Sequence, residues 1–114
     1  MTAETAERND VTLAGRLTAP AEERTLPSGD TLVTFRVVTA RPPRKGSRAP
    51  AVDAIDCTAW NGPVRKKVLS WEAGDVVEVQ GSLRRRFWRG AGGGAASRTE
   101  VEVVKAQRLA KAPQ

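Results

Sequence analysis

Hydrophobic and polar residues alternate in five segments of this 114-residue chain. Successive side chains of a β-strand point to opposite faces, so alternation predicts strands that bury one face and expose the other. The predicted strands span residues 11–18, 32–39, 53–60, 76–88 and 99–106. In the fourth strand, the inward positions are Val77, Val79, Gly81 and Leu83.

One short helix is predicted between the third and fourth strands. Asn61 or Gly62 can cap its start, and a proline follows at a position that suits the first helical turn. Apolar residues then recur at helical spacing as far as Trp71. Because glycine commonly ends helices, Gly74 marks the predicted end.

Loop and turn segments are predicted between the first and second, the second and third, and the fourth and fifth strands. Residues 19–24 are predicted as an irregular connection, and the LPSGD sequence at 26–30 is typical of a turn. Residues 41–50 form a basic loop, since three prolines and one glycine there disfavour regular structure. The glycine-rich segment 90–96 is predicted as a flexible hairpin loop.

This order of elements predicts an all-β protein. Five valine-rich strands, with one short helix between strands three and four, fit the five-stranded Greek-key barrel of the OB-fold. An open five-stranded sheet is the alternative. The predicted organisation is a flexible N-terminal tail at 1–8, one domain at 9–109, and a short C-terminal tail at 110–114.

The charge distribution predicts an anionic partner. The net charge is +6 and the isoelectric point about 10.4, which favours nucleic acid over an anionic membrane. Arginines cluster at 41–48 and 84–89, whereas acidic residues gather at 4–10, 22–23 and 100–102. This segregation predicts a basic face. Neither basic cluster has helical periodicity, so a membrane-binding amphipathic helix is not expected.

The sequence offers little for catalysis or metal binding. It contains no histidine, and its one cysteine, Cys57, lies on a predicted inward face. We therefore predict that the protein is not an enzyme and has no metal site. One cysteine excludes an intramolecular disulfide, and the polar N-terminus lacks the pattern of a signal peptide. Both observations favour a cytoplasmic location.

The aromatic residues divide into two groups. Phe35 and Trp71 are predicted to lie in the core, and Phe87 in the core or at its rim. Trp60 and Trp88 project to the face opposite the core, where exposed rings can stack on unpaired bases. The alternative for these two is core packing or a subunit interface.

Cations at outward positions can hold the phosphates of a nucleic acid. The predicted phosphate-binding residues are Arg16, Arg36, Arg84 and Arg86 on the strands and Arg41, Arg44, Lys45 and Arg48 in the basic loop.

Several segments together resemble the bacterial single-stranded DNA-binding protein family. They are NDVTLAGRLT, LPSGDTLVTFRVVTA, WNGPVRKKVL, AGDVVEVQGSLRRRFW and SRTEVEVV, and the resemblance spans residues 9–109. It implies an OB-fold, homotetramers built from dimers, and no cofactor. It also implies sequence-tolerant binding of single-stranded DNA in replication, recombination and repair.

The resemblance carries over to individual residues. Trp88 matches a tryptophan that stacks on bases at the end of the fourth strand, and Trp60 an aromatic at the end of the third. Two further aromatic positions of the family are occupied here by Pro43 and Ala54, so weaker or more salt-sensitive binding is expected.

The C-terminus also departs from the family. Residues 110–114 are basic and lack the acidic tip that recruits repair and replication enzymes, so recruitment by that route is not expected. The sequence is also consistent with two alternative functions. One is an OB-fold adaptor or assembly protein with weak affinity for nucleic acid, and the other is binding of single-stranded RNA.

Overall fold

The computed structural model describes residues 6–43, 45–46, 51–89 and 92–113. Within these ranges the chain forms six strands and one short helix. The elements are β1 (Val11–Leu17), β2 (Glu22–Thr25), β3 (Thr31–Ala40), β4 (Val52–Ala59), α1 (Gly62–Leu69), β5 (Val76–Arg89) and β6 (Ala95–Ala110). No helix in the described part of the chain is long and apolar enough to span a membrane.

The strands form a closed barrel. Their order is β1-β5-β6-β4-β3-β2, and a short antiparallel pairing of β1 with β3, through Arg16↔Val38 and Leu17↔Val37, closes it. Every ladder is antiparallel except that between β4 and β6, where Cys57 lies beside Val101. The predicted all-β OB-fold is confirmed, with its helix between the third and fourth predicted strands.

Five strands close the barrel, as predicted, and the sixth, β2, was not predicted. It overlaps the segment 19–24, which was expected to be an irregular connection. All four of its residues are exposed, so they lack the alternation that marks a half-buried strand. β2 pairs with β3 across the predicted turn at 26–30. That turn is confirmed: Gly29 has a φ of 93°, and the Leu26 N–H donates to the Asp30 carbonyl at 2.8 Å.

The core fills the barrel and continues under the helix. Phe35 and Trp71 are buried as predicted and meet edge to face, with ring centroids 6.0 Å apart. Cys57 is also buried, and its desolvation together with the nearby Asp56 charge raises the pKa of the thiol to about 12. The other core residues are Leu17, Val33, Val37, Ala59, Val68, Val77, Val79, Val101 and Val103.

The helix begins where the sequence predicts and ends earlier. Asn61 is the N-cap, and its side-chain oxygen accepts from the Val64 N–H at 3.2 Å. The helix ends at Leu69, and the Ser70 hydroxyl donates to the Lys67 carbonyl at 2.6 Å. The predicted end at Gly74 is therefore wrong. Gly74 instead forms the turn into β5, with a φ of 95°.

A buried carboxylate, Asp75, fixes the start of β5. Its side chain is 2% exposed and accepts from the backbone N–H groups of Glu72, at 2.9 Å, and Ala112, at 2.7 Å. Arg108 lies 3.6 Å away. These donors stabilise the charged form and lower the pKa of Asp75, the Glu72 N–H contributing most. Asp75 thus joins the β5 entrance to the chain beyond β6.

The pairing of β5 with β1 ends at Gly81, and beyond it β5 and β6 continue as a two-stranded arm. β6 runs from Ala95 to Ala110, so it begins within the predicted 90–96 loop and continues beyond the predicted end at 106. Leu83 and Phe87, expected to point inward, are 47% and 69% exposed. Phe87 does not belong to the core, because on this arm the sheet face has no second layer to cover it.

Candidate nucleic-acid interface

Trp60 and Trp88 come together although 28 positions separate them in the sequence. Trp60 follows β4, and Trp88 lies near the end of β5. Both line an open groove of about 290 Å³. We call it the tryptophan groove; its lining includes Thr58, Trp60, Arg86, Trp88, Arg98 and Glu100.

The two indole rings differ in how much of them a ligand can reach. Trp88 is 49% exposed. Trp60 is half-buried, and the Arg86 guanidinium carbon lies 5.2 Å from its ring centroid, within cation–π distance. Its Nε1 is buried and has no hydrogen-bond partner among the described residues. Trp88 is therefore the open platform, whereas Arg86 covers Trp60 on one side.

A buried carboxylate holds Arg86. Glu100 Oε2 accepts from Arg86 Nε at 2.6 Å and from the Thr58 hydroxyl at 3.0 Å. The Glu100 side chain is 5% exposed, compared with 42% for Arg86. In the β5–β6 ladder Arg86 lies opposite Arg98, so its contact with Glu100 is diagonal.

Most outward arginines that the sequence predicts for phosphate binding have acidic neighbours. Arg36 lies 2.8 Å from Asp56, directly opposite it in the β3–β4 ladder. Arg84 lies 3.6 Å from Glu102, again diagonally across β5 and β6. The expected segregation of charge is wrong on this face, because the β5–β6 pairing brings the 100–102 acids beside the arginines.

The basic loop contributes one further ion pair. Arg41 lies 2.7 Å from Asp53, and this hydrogen-bonded contact lowers the pKa of the Asp53 carboxyl. Lys45 is exposed. The other two cations predicted here, Arg44 and Arg48, lie outside the described residues.

Arg16 differs from the other strand arginines. It is exposed on β1, and no carboxylate within the described ranges lies within 4.0 Å of it. It does not line the tryptophan groove. The positions at which the family has further aromatics, Pro43 and Ala54, are both exposed and offer no ring.

Two cations of this surface, Arg98 and Arg24, were not predicted from the sequence. Arg98 lies opposite Arg86 and 3.9 Å from Asp56, and Arg24 lies on β2. Both line the tryptophan groove and an adjoining groove of about 350 Å³ that also contains Arg36. Arg98 could have been predicted as part of this surface from the register of the β5–β6 hairpin, which places it opposite Arg86. Arg24 could not, because it lies on β2, the strand that was not predicted.

The described part of the chain contains no group of three His, Cys, Asp or Glu side chains arranged to hold a metal ion.

The fold of this chain is similar to that of a solved structure. The structure described as "Plasmodium falciparum SSB complex with ssDNA" superposes with a TM-score of 0.76, covering 95% of this chain and 98% of that one. The two sequences are 21% identical, so this likeness supports the OB-fold alone.

Comparison with known sequences identifies relatives. Single-stranded DNA-binding protein 3 of Listeria innocua is 31% identical over 101 residues, which are 89% of this chain and 63% of that protein. Single-stranded DNA-binding protein A of Bacillus subtilis is 30% identical, over 89% of this chain and 59% of the relative. This chain thus matches less than two thirds of the length of either relative. The family described as "Single-strand binding protein family" matches residues 8–109. The chain therefore belongs to the single-strand binding protein family.

Proposed function

We propose that this chain binds single-stranded DNA without catalysis, with little dependence on sequence, in DNA replication, recombination and repair. The observation that carries the proposal is the tryptophan groove, in which Trp60 and Trp88 lie beside Arg86 and Arg98. Aromatic rings stack on bases of any sequence, and arginines pair with phosphates, so this combination suits an unpaired strand. The names of the relatives agree with it.

Within this proposal the two tryptophans have different roles. Trp88, being half exposed, stacks directly on a base. Trp60 contributes through its stack with Arg86, and the guanidinium plane offers a second surface for a base or a cation for a phosphate. Stacking contributes about 1–3 kcal/mol per base. With Pro43 and Ala54 at two aromatic positions of the family, charge carries a large share of the affinity.

The phosphate-binding residues in the proposal are Arg16, Arg36, Arg84 and Arg86, with the loop cations Arg41, Arg44, Lys45 and Arg48. Exposed ion pairs contribute only about 0–1 kcal/mol, so a phosphate can displace a carboxylate from Arg36 or Arg84 at small cost. The displaced carboxylate stays close to the bound DNA strand, however, and its negative charge repels the phosphates. The acidic partners therefore moderate the affinity.

The proposal extends to assembly and location. Family membership supports a homotetramer, with a dimer as the smaller possibility, acting in the cytoplasm on the nucleoid. Native mass spectrometry of the free protein measures the assembly directly. A monomer at micromolar concentration would contradict this part of the proposal.

Titration of the protein with short oligonucleotides, followed by tryptophan fluorescence, tests the function. Single-stranded DNA, the matching duplex and single-stranded RNA are compared at two salt concentrations. We expect strong quenching by the single DNA strand, weak binding of the duplex, and loss of affinity with salt. Preferential binding of RNA would move the function to RNA. Equal binding of all three without quenching would instead favour an adaptor protein with a general polyanion surface.

A further inference from the structure

We propose that Glu100 is a positioning residue. It fixes the Arg86 guanidinium over Trp60, so that this guanidinium is already oriented when a DNA phosphate binds to it. This inference rests on the proposed function. It assigns to a buried acidic residue a favourable role in binding a polyanion, which is the opposite of what its charge alone implies.

The surroundings of Glu100 show that its carboxylate is held in place. The side chain is 5% exposed, and Oε2 receives hydrogen bonds from the Thr58 hydroxyl and from Arg86 Nε. A buried carboxylate is stable only when such partners compensate for the lost water. Thr58 lies on β4 and Glu100 on β6, so two strands of the barrel wall fix the position of the acid.

The consequence for Arg86 is a defined orientation. Its Nε is engaged by Glu100, and its guanidinium lies 5.2 Å from the Trp60 ring centroid. Its two terminal amino groups have no hydrogen-bond partner within the described ranges. An arginine side chain that is free in solution must be ordered before it binds, and ordering costs entropy. Glu100 and Trp60 hold this one in a single arrangement beforehand.

Glu102 provides a matched comparison on the same strand. It lies 3.6 Å from Arg84, and 32% of its side chain is exposed. Among the described residues it makes no side-chain hydrogen bond. Glu102 therefore acts on this face mainly as a negative charge, whereas Glu100 also fixes a position.

The two roles predict effects of opposite sign, so the experiment measures the affinity of E102Q, E100Q and E100A for oligo(dT). We expect E102Q to bind more tightly than the wild type, because it removes repulsion. E100Q keeps an acceptor for Arg86 and should stay within about three-fold of the wild type. E100A removes the same charge but should bind about ten-fold more weakly. Binding by E100A that equals or exceeds that of the wild type would overturn the inference.

Two further measurements separate positioning from general structural damage. In an R86A background, E100A should cause no further loss of affinity, since Glu100 acts through Arg86. The same additional loss in both backgrounds would contradict this. If E100A does not fold, T58V takes its place in the comparison, because T58V removes the hydrogen bond from the Thr58 hydroxyl to the Glu100 carboxylate.

The free protein supplies a readout that requires no DNA. In an NMR spectrum of arginine Nε–H groups, the Arg86 signal should be shifted and protected in the wild type and averaged in E100A. An averaged signal in the wild type overturns the positioning by itself. If the wild type bound no single-stranded DNA, the proposed function would fail. The spectrum would still show whether Glu100 holds Arg86 in a fixed position.

Discussion

Arg86 covers one face of Trp60, with its guanidinium carbon 5.2 Å from the centroid of the indole ring. The same guanidinium is anchored to Glu100 through a 2.6 Å hydrogen bond from Nε. A base therefore reaches this end of the groove either by stacking on the guanidinium or by moving it. Trp88 on the neighbouring arm is half exposed and carries no such cover in the described structure.

The acidic residue Asp56 should weaken DNA binding. It lies 2.8 Å from Arg36 and 3.9 Å from Arg98, so D56N releases two arginines of the grooves at once. We expect tighter binding of oligo(dT) and a steeper dependence of log K on log salt, by about 0.7 per additional phosphate contact. E78Q is the control, because Glu78 lines a different groove and contacts Gln107. An equal gain in both variants would show a non-specific effect of net charge.

Gly81 should be essential to the barrel. The β5–β6 register shifts between Gln80 and Gly81, and a Cβ on Gly81 would overlap the Glu102 carbonyl oxygen. We expect G81A to lower the free energy of unfolding by about 2–4 kcal/mol, measured by urea denaturation. In the G92A control, the added methyl group meets nothing within 4 Å. Comparable stability of G81A and G92A would contradict the close approach.

Asp75 should make folding stability depend on acid pH. Its pKa is lowered in the folded protein by the Glu72 and Ala112 N–H groups and by Arg108. The unfolded chain then binds the proton more readily, so this stabilisation is complete above the unfolded pKa near 3.9 and lost as pH falls through the folded value. Urea denaturation should show D75N less stable than the wild type at neutral pH, with the difference shrinking in acid. A constant difference across pH would contradict this, and D10N, an exposed site, is the control.

Cys57 should report on unfolding. It is 1% exposed and its pKa is raised to about 12, so the folded protein holds it as an inaccessible thiol. We expect negligible alkylation by iodoacetamide in native buffer near pH 8 and complete alkylation in urea, followed by mass spectrometry. Rapid labelling of the native protein would mean that the barrel opens at β4.

The sequence pattern sufficed for elements in which a residue's role is local or follows the strand period. Alternation identified the strands that bury Phe35 and Val79, and cap chemistry placed the helix start at Asn61. The pattern did not predict features that depend on which strands pair. All four residues of β2 are exposed, so this strand shows no alternation of hydrophobic and polar residues. Phe87 occupies a position that alternation predicts to point inward, but it lies on an arm that extends beyond the core and is exposed.

The candidate site was predictable in its aromatic residues and less so in its electrostatics. Trp60 and Trp88 share an outward phase, and the barrel brings them to one groove. The partners of the arginines depend on register: Glu100 is 14 positions from Arg86, and only the hairpin brings them together. Composition therefore predicted a basic face where the structure has alternating charges.

Comparing the affinities of W88A and F87A for oligo(dT) tests directly whether Trp88 stacks on a DNA base. The two residues are neighbours on β5 that point to opposite faces, and both are exposed, at 49% and 69%. We expect W88A to bind more than ten-fold more weakly, as the loss of one stacked base implies, and F87A to stay within about two-fold of the wild type. Unchanged binding by W88A, or an equal loss in F87A, would contradict the stacking groove.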